Sequence, residues 1–232
     1  MLRKLRRMVG NIIHPKVVVG KVNHTCPMER LGSDYGGWTI NPTLIGKGSV
    51  VYSFGIGEDV SFDVAMIERF GCMVHAFDPT PRSIEWVKAQ QKAGKIPAGF
   101  VLHEYGIAAH DGTVSFFAPD NPAHVSHTMV EGATAGKQIT VPVKKLTTIL
   151  KELGHTHVDL LKMDIEGAEY DVVEDVLKSG VHVPQMLVEY HHRFASIGPG
   201  KTQASIDLLA KHGYALFKIS ESAEEYSFLR VR

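Results

Sequence analysis

Apolar residues fall into two kinds of block along this chain. Stretches 49–54, 73–77, 100–105, 158–163 and 185–190 are short and largely apolar on both faces, which predicts strands buried within a sheet. Between them the apolar spacing turns helical. Segment 60–70 carries Val60, Val64, Ile67 and Phe70, and segment 168–177 carries Ala168, Val172, Val173, Val176 and Leu177. Further helices are expected from about Arg82, where Asp78-Pro79-Thr80-Pro81 stops a strand, over 144–153 and over 202–212. Asp111-Gly112 is read as a hairpin turn carrying the chain from 100–105 into 113–117, and the alternating segment 138–143 as pairing with that hairpin. Segments 214–219 and 226–231 are expected to close the chain as an antiparallel pair. The repeating strand-helix-strand order predicts an α/β fold: a mainly parallel sheet with helices on both faces. Residues 1–30 are mixed and read as an N-terminal extension, leaving 31–232 as one domain with no repeat or linker.

The candidate chemistry starts at the end of the first long strand. Val50-Val51-Tyr52-Ser53-Phe54 runs into Gly55-Ile56-Gly57, and the next strand ends in Asp78, 21 residues past Gly57. A tight strand-to-helix turn explains the glycines alone. An acid closing the next strand adds an acceptor for ribose hydroxyls, so the pair points to a nucleoside cofactor. A dinucleotide site calls for a third glycine where this chain has Val60. Glu58 and Asp59, at the start of the helix, would also repel a diphosphate there. S-adenosyl-L-methionine has no phosphate, and its ammonium can pair with an acid near Gly57. It is therefore expected ahead of NAD.

Bulk composition narrows the partners. The chain has 232 residues, within the range of one large α/β domain, and 25 basic residues balance 25 acidic ones. A zero net charge gives no bulk pull toward nucleic acid or an acidic membrane. No run is long and apolar enough to span a bilayer. Cys26 and Cys72 make neither a disulfide framework nor a zinc site, which suits a cytoplasmic setting. The start, with Arg3, Lys4, Arg6 and Arg7, reads as a solvated end. Leu31-Gly32-Ser33-Asp34-Tyr35-Gly36-Gly37-Trp38 is glycine-rich, and its position before the first cofactor strand suits a lid bearing Tyr35 and Trp38.

Three segments together resemble the FkbM-type S-adenosylmethionine-dependent methyltransferases: Val51-Tyr52-Ser53-Phe54-Gly55-Ile56-Gly57, Phe77-Asp78-Pro79-Thr80-Pro81, and Leu161-Lys162-Met163-Asp164-Ile165-Glu166-Gly167-Ala168-Glu169. The resemblance covers about residues 30–232, and the last block is its most specific part. It implies a class I methyltransferase (Rossmann-like) fold: a seven-stranded, mainly parallel sheet whose last strand is antiparallel. It implies O-methylation, often of sugars or other small hydroxyl compounds. It also places the loop after the third strand, with Tyr105, Gly106 and Ile107, near the adenine. Where many class I enzymes carry an acid two residues before the first glycine, this chain has Ser53, so Glu58 or Asp59, or else water, is expected to take the ammonium. The cofactor set is thus Tyr35, Trp38, Gly55, Gly57, Glu58, Asp59, Asp78, Pro79, Gly106, Ile107 and Asp164.

Ligands in open α/β sheets lie beyond the carboxyl ends of the strands. Gly55 and Gly57, Asp78, Asp164, and Glu189 with His191 and His192 close four expected strands and should converge on one rim. Methyl transfer needs the acceptor aligned and its proton removed. The catalytic candidates are His191 or His192 as base, with Glu189 orienting His191, and Asp164. Structural alternatives stand beside them: a backbone-bonded histidine pair, Asp164 as a helix cap, and a Lys162–Glu166 ion pair. A divalent metal on Asp164, Glu189 and His191 is possible but not demanded. Ser126-His127-Thr128 reads as a mobile loop, and His155 and His157 as a solvated turn. The expected partner is a small-molecule hydroxyl acceptor, a sugar or a glycosylated or polyketide-like compound, with a homo-oligomer possible. A non-catalytic cofactor-binding module and, more weakly, an NAD-linked oxidoreductase are the competing readings.

Overall fold

The computed structural model describes residues 16–117 and 138–232. The basic start and Ser126-His127-Thr128 lie outside the described residues. The strands are β1 (Glu29–Leu31), β2 (Trp38–Ile40), β3 (Val50–Phe54), β4 (Met73–Phe77), β5 (Phe100–His103), β6 (Gly106–Ile107), β7 (Gly112–Phe117), β8 (Gln138–Lys144), β9 (Leu160–Met163), β10 (Gln185–Glu189), β11 (Tyr214–Ile219) and β12 (Glu225–Arg230). The helices are α1 (Ser61–Phe70), α2 (Pro81–Lys92), α3 (Leu146–Leu153), α4 (Glu169–Ser179) and α5 (Gly198–Lys211).

Seven strands form the main sheet in the order β11-β12-β10-β9-β3-β4-β5. Strands β10, β9, β3, β4 and β5 run parallel, while β12 is antiparallel to both β10 and β11. This is the class I methyltransferase sheet. From β3 the chain winds outward through β4 and β5 on one side, and β9 and β10 follow on the other. A crevice opens where the winding reverses, outside the carboxyl ends of β3 and β9.

Period-two alternation sorts the strand side chains between two faces. Tyr52 and Phe54 of β3 join one buried cluster with Leu146 and Ile149 of α3, Val172, Val173 and Val176 of α4, and Leu209 of α5. Val51 faces the other way, against Phe62 and Met66 of α1. No helix covers that second face over β10 and β12; the β1–β2 hairpin does. The Gln185 amide bonds the Asn41 backbone in both directions, and the Ser227 hydroxyl donates to the Thr39 carbonyl. Upstream, Asn23 pairs with Leu216 in both directions and so covers the exposed edge of β11.

The expected hairpin is corrected. Strand β7 pairs antiparallel with β8, as the alternation of 138–143 indicates, but not with β5. Together with β6 they form a separate three-stranded sheet. The Asp111 carboxylate accepts from Lys145 N and Thr148 Oγ1, which ties the turn to the start of α3 and away from β5.

Candidate active site

The cleft at the reversal point encloses about 300 Å³. Residues closing four parallel strands share its wall: Gly55 and Gly57 after β3, Asp78 after β4, Asp164 after β9 and Glu189 at the end of β10. Trp38, Glu58, Asp59, Pro79, Gly106 and Ile107 also line it, and so does Tyr35. Of the rim candidates, His191 and His192 do not reach that wall.

The two motif glycines do different jobs. Gly55 has φ +73°, and a Cβ there would lie 1.6 Å from the Asp164 carbonyl oxygen, so its place is set by the neighbouring strand end and not by a ligand. Gly57 has φ +55°, and nothing lies within 4 Å of where a Cβ would stand. Its missing side chain leaves space on the cleft wall, which is the room a cofactor needs. Lys162, buried beneath, donates from Nζ to the carbonyls of Phe54 (3.3 Å) and Gly55 (2.7 Å) and lies 5.7 Å from the Trp38 ring centre. This replaces the expected Lys162–Glu166 ion pair. Both backbone carbonyls turn inward, so a cation there satisfies them.

Asp78 is held from three directions. Its Oδ2 accepts from Gly57 N at 3.0 Å, and its Oδ1 accepts from Thr80 N and Thr80 Oγ1 at 2.9 and 2.5 Å. The carboxylate therefore fixes the Gly-x-Gly turn and faces the cleft at once. Glu58 pairs with Arg82 through two contacts, at 2.9 and 3.1 Å. Asp59 accepts from Ser33 Oγ and Ser61 N, at 2.8 and 2.9 Å. Burial works to raise the Asp59 carboxyl, but those bonds and the Lys162 charge outweigh it and hold it below the ordinary carboxylate value. Asp59 therefore keeps its negative charge on this wall, beside the Glu58–Arg82 pair, a setting that suits a cofactor without phosphate.

Trp38 corrects the lid. It is the first residue of β2 and is buried, so the indole is a fixed wall of the cleft. Only the stretch before it, with Tyr35 at 61 % exposure, has the freedom of a loop, and Ser33 ties that loop to Asp59. Tyr105 likewise turns from the cleft: its ring faces Phe77 and His103, with Lys144 Nζ 4.3 Å from its centre.

The acceptor end is acidic. His191 is fully buried, and its Nδ1–H donates to Glu169 Oε1 at 2.7 Å. Its Nε2 makes no hydrogen bond; it lies 3.3 Å from Glu166 Oε2, 3.8 Å from Asp164 Oδ1 and 4.0 Å from Glu189 Oε1. Burial would lower this imidazole's pKa, but Glu169, Glu166 and Glu189 outweigh it and hold it well above the ordinary value. Burial first, then Asp164, raises Glu189 well above the ordinary carboxylate; burial also raises Asp164, against Lys162 and His191. His192 turns away, bonding the Val17 carbonyl at 3.0 Å through Nε2. That fits the backbone-bonded alternative and removes His192 from the chemistry.

Glu169 is the residue the sequence reading missed. It is fully buried and accepts from Ile165 N and Gly167 N as well as from His191. It thereby closes the loop in front of α4; the helix itself has no side-chain cap at Ala168, so Asp164 does not cap it. The Glu-Gly-x-Glu spacing in the motif carried that signal, because a Glu two residues past a glycine can reach back over the turn. Glu166 sits at φ +55°, a left-handed conformation that among the described non-glycine residues only Ala223, at +66°, shares.

A family model described as the methyltransferase FkbM domain matches residues 49–216. The chain belongs to the FkbM methyltransferase family. Among its relatives, the probable methyltransferase-like protein 24 of Rattus norvegicus is 28 % identical over 72 % of this chain and 39 % of its own length. The human protein of that name is 27 % identical over 75 % of this chain and 40 % of its own length. The FkbM-family chain thus spans about two fifths of these relatives. The 31-O-demethyl-FK506 methyltransferase FkbM of Streptomyces tacrolimicus is 25 % identical, over 73 % of this chain and 74 % of its own. Aeropyrum pernix fibrillarin, solved with natively bound S-adenosyl-L-methionine, aligns at 9 % identity with a TM-score of 0.42, over 80 % of this chain and 66 % of that one.

Proposed function

We propose that this chain is an O-methyltransferase acting on a hydroxyl of a small polar metabolite, a sugar or a glycosylated or polyketide-like compound. One observation carries the reading: a single cleft has a nucleoside-fitting end and a carboxylate end. At the first, Gly57 leaves open space beside the Asp78 carboxylate, and Gly106 and Ile107 complete the wall. At the second, Asp164, Glu166 and Glu189 face the same space. A polyhydroxylated acceptor finds hydrogen-bond acceptors there, whereas an apolar one would bury carboxylates without partners. The printed name of the Streptomyces tacrolimicus relative, which acts on 31-O-demethyl-FK506, agrees with an oxygen acceptor of this kind.

S-adenosylmethionine, when bound, supplies an activated methyl group. The chain's own work is to align the acceptor and take its proton. Among the chain's own groups, Glu189, at 4.0 Å the farthest of the three neighbouring carboxylates from His191 Nε2, would take the proton of the acceptor hydroxyl. His191 sits behind the carboxylates with Nδ1 committed to Glu169, so it is a positioning residue and not the base. A diphosphate cofactor would meet Glu58 and Asp59, which weighs against NAD.

The test is transfer from labelled S-adenosylmethionine to a panel of sugars, glycosides and macrolides, with products located by mass spectrometry. A methyl ether on one class is expected. Glu189→Gln should lower turnover by roughly 10²- to 10⁴-fold while S-adenosylhomocysteine still binds. Methylation at nitrogen or carbon only, or a Glu189→Gln protein at full rate, would overturn the reading.

A further inference from the structure

We infer that Asp164, Glu166 and His191 form a binding site for a divalent first-row cation at the acceptor end of the cleft. One oxygen of each carboxylate and Nε2 of the imidazole lie within 4.8 Å of one another. An octahedral ion with bonds near 2.1 Å places adjacent ligands roughly 3 Å apart. The 3.3 Å from Nε2 to Glu166 and the 3.8 Å to Asp164 are close to that spacing before any adjustment.

The imidazole is what separates this cluster from an ordinary group of acids. His191 has 0 % exposure, and its Nε2 points among the carboxylates with no hydrogen-bond partner. A buried polar atom of this kind calls for a partner. Its Nδ1–H is fixed on Glu169, the arrangement that orients a metal-binding histidine, and a bound ion would take the place of a proton on Nε2. Glu169 also holds the Ile165 and Gly167 amides, so one buried carboxylate positions both the imidazole and the loop bearing Glu166.

Of the nearby cations, Lys162 donates to the Phe54 and Gly55 carbonyls, and Arg193 pairs most closely with Glu224, at 2.7 Å, while its charge also acts on Glu189, at 3.9 Å, and on Glu166. Mixed imidazole and carboxylate ligation suits Mn²⁺ or Fe²⁺ better than Ca²⁺. Asp164 and Glu166 both line the cleft, so coordination positions opposite His191 open toward the acceptor. There the ion would bind the hydroxyl oxygen and ease loss of its proton to Glu189. This last role rests on the O-methyltransferase reading; the site itself does not.

The experiment is titration of the metal-stripped protein with MnCl₂, following free Mn²⁺ by electron paramagnetic resonance. S-adenosylhomocysteine binding is measured in parallel with a chelator present. One saturable Mn²⁺ site is expected. Asp164→Asn and Glu166→Gln should each weaken it by roughly tenfold or more, and Glu169→Gln by roughly 10- to 100-fold. Glu166→Gln keeps the size of the side chain and a carbonyl oxygen beside His191, so it remains informative if His191→Ala fails to fold. No saturable Mn²⁺ binding, or equal binding in wild type and Glu166→Gln, overturns the site. Homocysteine-ligand binding without Mn²⁺ binding would leave the methyltransferase reading intact and sink the metal alone. The reverse result would keep the metal and sink that reading.

Discussion

Gly55 and Gly57 look alike in the sequence and are unlike in the fold. A Cβ at Gly55 would stand 1.6 Å from a backbone oxygen that cannot move without displacing β9, whereas one at Gly57 meets open space. Gly55→Ala should therefore cost on the order of 4 kcal/mol of stability or prevent folding. Gly57→Ala should cost about 1 kcal/mol for the left-handed backbone and spend its effect on the cofactor. Urea denaturation and calorimetric titration with S-adenosylhomocysteine separate the two. A Gly57→Ala protein that binds normally would move the cofactor away from that turn. Spacing along the chain made Gly57, Asp78 and Asp164 legible, because each closes a strand. It could not show that Lys162 serves the β3 carbonyls or that Glu169 grips His191, since those contacts join segments 107 and 22 residues apart. In the quoted motif Glu169 stood without a role, and Lys162 only as an ion-pair partner for Glu166. Glu169→Ala would strand a buried imidazole and two amides, and should destabilise by about 3–5 kcal/mol in chemical denaturation; Glu169→Gln should recover much of that.

At the scale of elements, the parallel strands and most of their helices were readable to within a residue or two, because a buried strand bounded by glycine, proline or an acid leaves a clear pattern; the last helix begins four residues before the expected Thr202, at Gly198. β1 and β2 were not: each has three residues, too few for a period, and they flank a glycine-rich loop. Of the two histidines expected in a solvated turn, the His157 side chain stays 43 % exposed, while His155 packs inward. His155 Nδ1 lies 2.7 Å from the Tyr52 hydroxyl, and its ring packs on His75, whose Nδ1 is 3.0 Å from His103 Nε2. Burial first, then His103 and His155, lowers His75 to about 4 from the ordinary 6.5. His103 and His155 are lowered too, each by burial first. Between those two values the unfolded chain binds protons that the folded chain refuses, so the stabilisation is complete above the ordinary value. It is lost as pH falls from there toward 4. Unfolding free energy should thus drop between about pH 7 and about pH 5, and His75→Phe should flatten that drop. Parallel slopes in wild type and variant would show that β4 and β5 carry no such acid sensitivity.

For the whole molecule, the sheet order followed from the family resemblance and the repeating pattern, while the side sheet of β6, β7 and β8 did not. The turn that diverts it is anchored by Asp111 on α3, a contact with no local signature. The cleft has a consequence at this scale. Its wall is assembled from the ends of β3, β4, β9 and β10, which span both halves of the main sheet, and from the β2 indole. A ligand seated there touches elements that can come apart only when the sheet does, so its binding energy should appear in global unfolding and not in one loop. S-adenosylhomocysteine at 100 times its dissociation constant should add about 2.7 kcal/mol. For a domain of this size that raises the melting temperature by roughly 5–10 °C. NAD at the same concentration should leave it within about 1 °C, because Glu58 and Asp59 oppose its diphosphate. Scanning calorimetry decides the matter: a shift with NAD equal to that with S-adenosylhomocysteine would mean that the acids on this wall do not select the cofactor.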